Sequence, residues 1–516
     1  MHAYARSGRV WRPCLNPMPT LGRPPTRAAE AIRFTAKTAL GLLLAVLSLP
    51  ALAQAGIGVA GARHLLSRTG FGANPAQIAV YAPLSREAAV DRLLANSQAN
   101  AATPPPSWVD EAFERPGQPN LDEEAKKALQ KLRAEHAVEL RGWWLNEMRY
   151  TSSPLSEKMT LFWHNHFVSA LDKVRSPQLM YRQNVLLRQY ALGNFGAMLH
   201  AVAHDPAMMR YLDTANNRKG QPNENFAREV MELFTLGEGH YSEQDIREAA
   251  RAFTGWGLDR DERFVNRPRL HDDGDKLVFG QRGDFNGDDV LDLLLRQPAT
   301  AEFIAAKLWK AFVSPKPDPA AVKRLAAGFR NSRYEIKPLL RALLLSPQFW
   351  SSQGQLVKSP LELTIGTLVT FDLNPPDWRA LAGLNRQLGQ DVFAPPNVKG
   401  WPGGEAWINS ATLLSRKQFL DRIARDAAPA RNAFALPDGG MDEMKGREAR
   451  INRLATAGLR SIRLQPDEWS AIYQIRSAQD AAKLLLALPP ANPLPESGSG
   501  AQAIAPLLLD PVYQVH

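Results

Sequence analysis

Apolar residues recur every three or four positions along most of this chain, and that spacing predicts helices. Leu121–Tyr150 reads as one long helix, with Leu129, Leu132, His136, Leu140, Trp143 and Trp144 at helical spacing. Pro154–Val168 reads as another, apolar on most sides and therefore internal. Asn223–Leu236 and Ser242–Thr254 form a pair; Ser242 and Asp245 resemble a capping box, and Gly255 suits a helix stop. Further helices are predicted at Asp288–Leu295, Ala299–Phe312, Pro319–Phe329, Ile336–Leu345 and Pro360–Phe371. One stretch breaks the pattern. Arg263–Gly287 is rich in Asp and Gly around Leu277-Val278-Phe279, which predicts a small β-hairpin turning near Asp273-Gly274.

The expected fold is therefore mainly all-α: a multi-helix bundle with a small β-hairpin insertion near 263–287. Proline follows the end of an apolar helix at Asp205-Pro206, Gln297-Pro298, Ser346-Pro347 and Asp510-Pro511, where it suits the first position of a new helix. Their spacing is irregular, so no solenoid is predicted. Linkers are expected at Pro104–Asn120, Pro315–Pro319, Ala427–Glu448 and Pro489–Gly500. The last two bracket a C-terminal helical segment, 431–516, read as part of the same domain as 54–430.

The N-terminus follows other rules. Seven basic residues and one acid occupy residues 1–38, an apolar run spans Ala39–Leu49, and Pro50 precedes Ala51-Leu52-Ala53. A basic region, a short apolar region and an A-x-A site describe a secretory signal over residues 1–53. The run is shorter than the roughly 20 residues a spanning helix needs, so no membrane span is expected after cleavage. Met18 is an alternative start. The expected location is periplasmic or extracellular. Removing the leader lowers the formal charge from +10 to +4, and no basic stripe of the kind that tracks nucleic acid remains. The single cysteine, Cys14, lies in the leader, so the mature chain has no disulfide, Cys–zinc site or Cys nucleophile.

Three polar clusters are candidates for chemistry. On a helix from Asn223, the residues Asn225, Arg228, Glu229 and Glu232 share one face, while Glu224 falls off it near Ala227 and Met231. In Trp163-His164-Asn165-His166-Phe167, the two histidines point in different directions on a regular helix and cannot share one metal. His200 and His204 share a face, as zinc sites require, but no third ligand is evident; a histidine pair at a helix end is the simpler reading. Asp284-x-Asn286-x-Asp288 lacks the glycine and glutamate of a calcium loop, and Asp288 reads as a helix cap. The chain has no G-x-S-x-G elbow and no phosphate loop. Trp401 and Trp407 flank a Gly-rich turn, where they could stack on a planar ligand or form a buried aromatic plug.

The phrases HLLSRTGFG (His64–Gly72), FWHNHF (Phe162–Phe167), DPAMMRYLD (Asp205–Asp213), NENFAREVMELFTLGEGHYSEQDIREAARAFTGW (Asn223–Trp256), HDDGDKLVFG (His271–Gly280) and GWPGGEAWIN (Gly400–Asn409) together resemble a bacterial family catalogued as domain of unknown function 1800. The resemblance runs from about Arg63 to the end. It implies export and a frequent genetic neighbour, a second exported protein resembling sulfatases or alkaline phosphatases. It implies no mechanism.

Two functions follow. The first is a non-catalytic helical scaffold or partner of another exported protein, in which the polar groups form a buried network that fixes helix register. The second is a metal-assisted or acid–base hydrolase acting outside the cytoplasm. There, Glu229, Glu232 and Arg251 would be catalytic, Arg251 holding an anionic group. His164, His166, Glu224, His240 and His271 would be the pool of ligands for a divalent metal.

Overall fold

The computed structural model describes residues 56–111, 122–424, 462–494 and 499–516. The leader, the linker at Ala427–Glu448 and parts of the other two long linkers lie outside them. Ala55–His516 forms one compact unit. It is mainly helical, with two small two-stranded antiparallel sheets, and the buried apolar side chains of the described residues form one contiguous core. Among the described residues no helix is long and apolar enough to cross a membrane.

The helices begin where the sequence supplies caps. Pro206, Pro298, Pro347 and Pro511 each stand in the first turn of a helix, where a missing N–H breaks no bond. Asp205, Ser346 and Asp510 cap three of these from the preceding position. The expected capping box is present: Ser242 accepts from the Asp245 N–H, and Asp245 accepts from the Ser242 N–H. The long helix spans Glu123–Tyr150. Its C-terminal half buries Leu140, Trp143 and Trp144, whereas Leu132 stays 39% exposed. His136 stacks on Trp108 with ring centroids 4.4 Å apart.

Three expectations change. The Asn223–Leu236 helix is two elements: an α-helix over Glu224–Glu229 and a wider π-turn over Val230–Thr235, in which the Leu236 N–H reaches back five residues to the Met231 carbonyl. The helix at Gly287–Arg296 is capped by Asn286, not Asp288; the Asn286 side chain accepts from the N–H groups of both Asp288 and Asp289. The β region holds two hairpins. β1 (Trp256–Leu258) pairs with β2 (Phe264–Asn266), and β3 (Lys276–Val278) with β4 (Gln281–Gly283). The second turns at Phe279-Gly280, both at positive φ, as a tight two-residue hairpin needs. Asp273-Gly274 lies in the preceding loop, where the Gly274 N–H donates to Asp272.

Three helices around the site are locked by one buried ion pair. Glu157, on the Pro154–His166 helix, accepts from Arg188 Nε at 2.5 Å and Nη2 at 3.0 Å, on the Pro177–Tyr190 helix. It also accepts from Trp144 Nε1 at 3.0 Å, on the Glu123–Tyr150 helix. Both charged side chains are only 1% exposed. Removing one partner of such a pair strands a charge in the interior. Glu157→Ala should therefore cost about 3–5 kcal/mol in urea unfolding; a loss below about 1 kcal/mol would contradict this role.

Candidate functional site

The Pro154–His166 helix ends in the segment FWHNHF, and each of its polar side chains leaves in a different direction. Trp163 is fully buried and donates from Nε1 to the Ala191 carbonyl at 2.9 Å. His164 points into aromatic packing with Trp144, Phe393 and Trp401. Its Nε2 accepts the Phe393 N–H at 3.3 Å, and burial lowers its pKa to about 3, so the ring is neutral. Asn165 pairs with the backbone of Trp401: Oδ1 accepts from the Trp401 N–H at 2.7 Å and Nδ2 donates to the Trp401 carbonyl at 3.4 Å. That closeness explains Gly400, which has φ +80° and whose added Cβ would lie 2.2 Å from Asn165 Oδ1.

His166 faces the π-turn. Its Nε2 donates to the Phe234 carbonyl at 3.0 Å, because a carbonyl can only accept. Its Nδ1 is therefore the lone-pair nitrogen, and Lys307 Nζ donates to it at 3.0 Å. The same ammonium donates to the Leu233 carbonyl at 3.2 Å. Burial first, then the Lys307 charge, pushes the His166 pKa well below its usual value. Burial first, then Lys310, lowers Lys307 to about 8. The last carbonyls of a helix lack intrahelical partners, and here a histidine and a lysine supply them. Lys307 escapes a sequence reading because it lies on a helix read only for its apolar face; a charge among Ala305, Ala306, Leu308 and Trp309 was the available signal.

The remaining candidates lie apart. Glu224 is 41% exposed and pairs with Arg228, which grips Glu243 at 2.8 and 2.9 Å. Glu232 accepts from the Tyr241 hydroxyl at 2.8 Å and stands 3.8 Å from Lys399. Burial and the neighbouring Glu232 raise the Glu229 pKa. His240 is exposed. His271 Nδ1 donates to the Thr254 carbonyl at 2.8 Å. Arg251 grips Asp272 at 2.9 and 3.0 Å, Glu248 at 2.7 Å and the Asp275 carbonyl at 3.0 Å, which leaves it no role as a free anion holder and makes it the clamp of the 272–275 loop. The five proposed metal ligands are thus not one group. Among the described residues no three His, Cys, Asp or Glu side chains are placed to hold a metal ion. Both His166 nitrogens, moreover, already have partners.

Three sequence-distant segments do converge: FWHNHF, the π-turn and the Gly400–Gly404 loop. The first and the last of these line a cavity of about 350 Å³ whose wall includes Phe162, His166, Lys307, Trp401 and Trp407. Both tryptophans are buried, at 5% and 7% exposure, which matches an aromatic plug better than an open platform.

Residues 64–515 match the family described as protein of unknown function DUF1800. The chain belongs to the DUF1800 family. No curated protein and no solved structure matches it. The DUF1800 match encloses all the motif segments above, so their convergence is a feature of one family domain.

Within that DUF1800 domain the His200/His204 pair serves the same end-tying purpose. His200 reaches Asp288 at 3.0 Å and Asp292 at 3.1 Å, and His204 reaches Asp288 at 3.2 Å while stacking on Phe264. Hydrogen bonding to Asp288 raises the His200 pKa. A raised histidine pKa stabilises the fold below its unfolded value of about 6.5, and that stability is lost as pH rises through the folded value. The melting-temperature gap between wild type and His200→Gln should thus be widest near pH 6 and shrink toward pH 8. A gap independent of pH would contradict this pairing.

Proposed function

We propose that this DUF1800 protein is an exported, non-catalytic helical scaffold for a second exported protein. One observation carries the reading. Several polar side chains of its motif-rich segments bond to backbone or to one another: His166 and Lys307 to the π-turn, Asn165 to the Trp401 backbone, and Arg251 to the 272–275 loop. A catalytic centre needs groups with free valence aimed at a common point. Satisfied networks of this kind fix one arrangement of helices. Export rests on the basic and apolar pattern of residues 1–53. The partner class, a protein resembling sulfatases or alkaline phosphatases, rests on the family resemblance.

One observation favours a second reading, an acid–base hydrolase. Burial and the neighbouring Glu232 raise the Glu229 pKa, and a pair of adjacent carboxyl groups in different environments is a common acid–base arrangement. Co-expression of the mature chain with its exported neighbour separates the two. The scaffold reading expects one complex on size exclusion, with both proteins' folds and metal contents unchanged by Glu232→Gln. Separate elution, with hydrolysis of a 4-nitrophenyl ester that Glu232→Gln abolishes without unfolding the chain, would replace it by the hydrolase.

A further inference from the structure

The interior around the C-terminal segment holds far more positive than negative charge. Arg63, Arg68, Lys158 and Arg416 are each at most 8% exposed, and Lys358 is half-buried beside them. Among the described side chains one carboxylate, Glu362, stands among these five cations, and Lys158 binds it. Arg68 donates to the carbonyls of Phe312, Val313 and Ser352 and to the main-chain oxygen of His516. Arg416 donates to Gln514 Oε1 and the Lys358 carbonyl. Carbonyls satisfy the N–H groups of a guanidinium but bring no countercharge.

Four of these cations are incompletely satisfied: Arg68 and Arg416 each leave one buried Nε without a partner among the described residues, and Arg63 and Lys358 leave more. Arg63 makes only long bonds, 3.3 Å to Gln353 and 3.5 Å to the Ala487 carbonyl, and its buried Nε has no partner. Lys358 forms no hydrogen bond from its ammonium among the described residues; it sits 3.8 Å over the Tyr513 ring. A ring face offsets only part of the desolvation of an ammonium. Burial, Arg63 and Arg416 together disfavour the Lys358 charge, lowering its pKa to about 7. Arg63 and Lys358 line one small pocket, with His64, Glu362, Tyr513 and His516. Its volume is about 40 Å³. A single water needs roughly 10–15 Å³ on this measure, so the space suits a few waters or one compact ion.

We propose that this pocket binds a free tetrahedral oxyanion, of the size and charge of sulfate or phosphate, through Lys358 and Arg63. Such an ion would supply the negative charge that the cluster lacks and accept the donors left over. The pocket shares Glu362 and His516 with the wall of the cavity beside His166, and the proposal does not depend on the scaffold reading. Free oxyanion and ester are distinguished by size: a pocket this small takes the former and excludes an aryl ester.

The test uses the full mature chain and potassium sulfate in the low millimolar range, with chloride holding ionic strength constant. Sulfate is a dianion across neutral pH, so only the protein titrates. Sulfate should raise the melting temperature saturably, and Lys358→Met should weaken that response at least tenfold. Lys358→Met should melt no lower than wild type in chloride alone, since it removes an uncompensated charge. Arg63→Gln, as a second variant, should weaken sulfate binding as well. 4-Nitrophenyl sulfate should give no saturable shift. A sulfate effect no larger than that of chloride, or equal in wild type and both variants, would overturn the proposal. A saturable response to the aryl ester matching that to sulfate would overturn the free-ion assignment.

Discussion

A helix that stops inside a protein must find partners for its last carbonyls, and this domain is organised around one such stop. The segment from Glu224 widens into a π-turn at Val230–Thr235 and ends against the core. Its Leu233 and Phe234 carbonyls face away from water, so a lysine and a histidine from two other helices come to them. That requirement ties the Pro154–His166 and Pro298–Phe312 helices to the π-turn. Asn165, one residue before His166, extends the tie to the Gly400–Gly404 loop through Trp401. His166, one of the five residues in the expected ligand pool, is in three dimensions a helix cap whose lone pair is already taken.

The sequence carried much of this architecture. Period and caps located the helices to within a few residues, because Ser242/Asp245 and the first-turn prolines are local devices readable without the fold. The opposed directions of His164 and His166 followed from helix geometry, and the two side chains do reach different surroundings. Other features depend on tertiary partners. The π-turn leaves no mark in the period. Phe279 adopts a positive φ that local propensity disfavours, so Asp273-Gly274 looked the better turn. Arg251 read as free because its main partner, Asp272, lies across a loop. The cation cluster was invisible for the same reason: Arg63, Lys158, Lys358 and Arg416 are scattered over the chain and meet only when it folds.

Charge therefore has two distinct roles. His166, Lys307 and Arg251 each have partners, and the result is rigidity. Around Lys358 the balance is broken, with cations outnumbering the one described side-chain carboxylate. Buried charge without a counterpart costs more than any single hydrogen bond returns. The first pattern suits a molecule whose work is to hold a shape for a partner; the second marks the place where a small anion would complete that shape.

The central claim is that His166 is a neutral cap and not a ligand or base. Selective ¹⁵N labelling of histidine, with long-range proton–nitrogen spectra, reads it directly. The account predicts one neutral tautomer, protonated on Nε2, unchanged from pH 5 to 8 and on adding zinc or manganese. Protonation of that ring near neutral pH, or loss of its signals on metal addition, would contradict it.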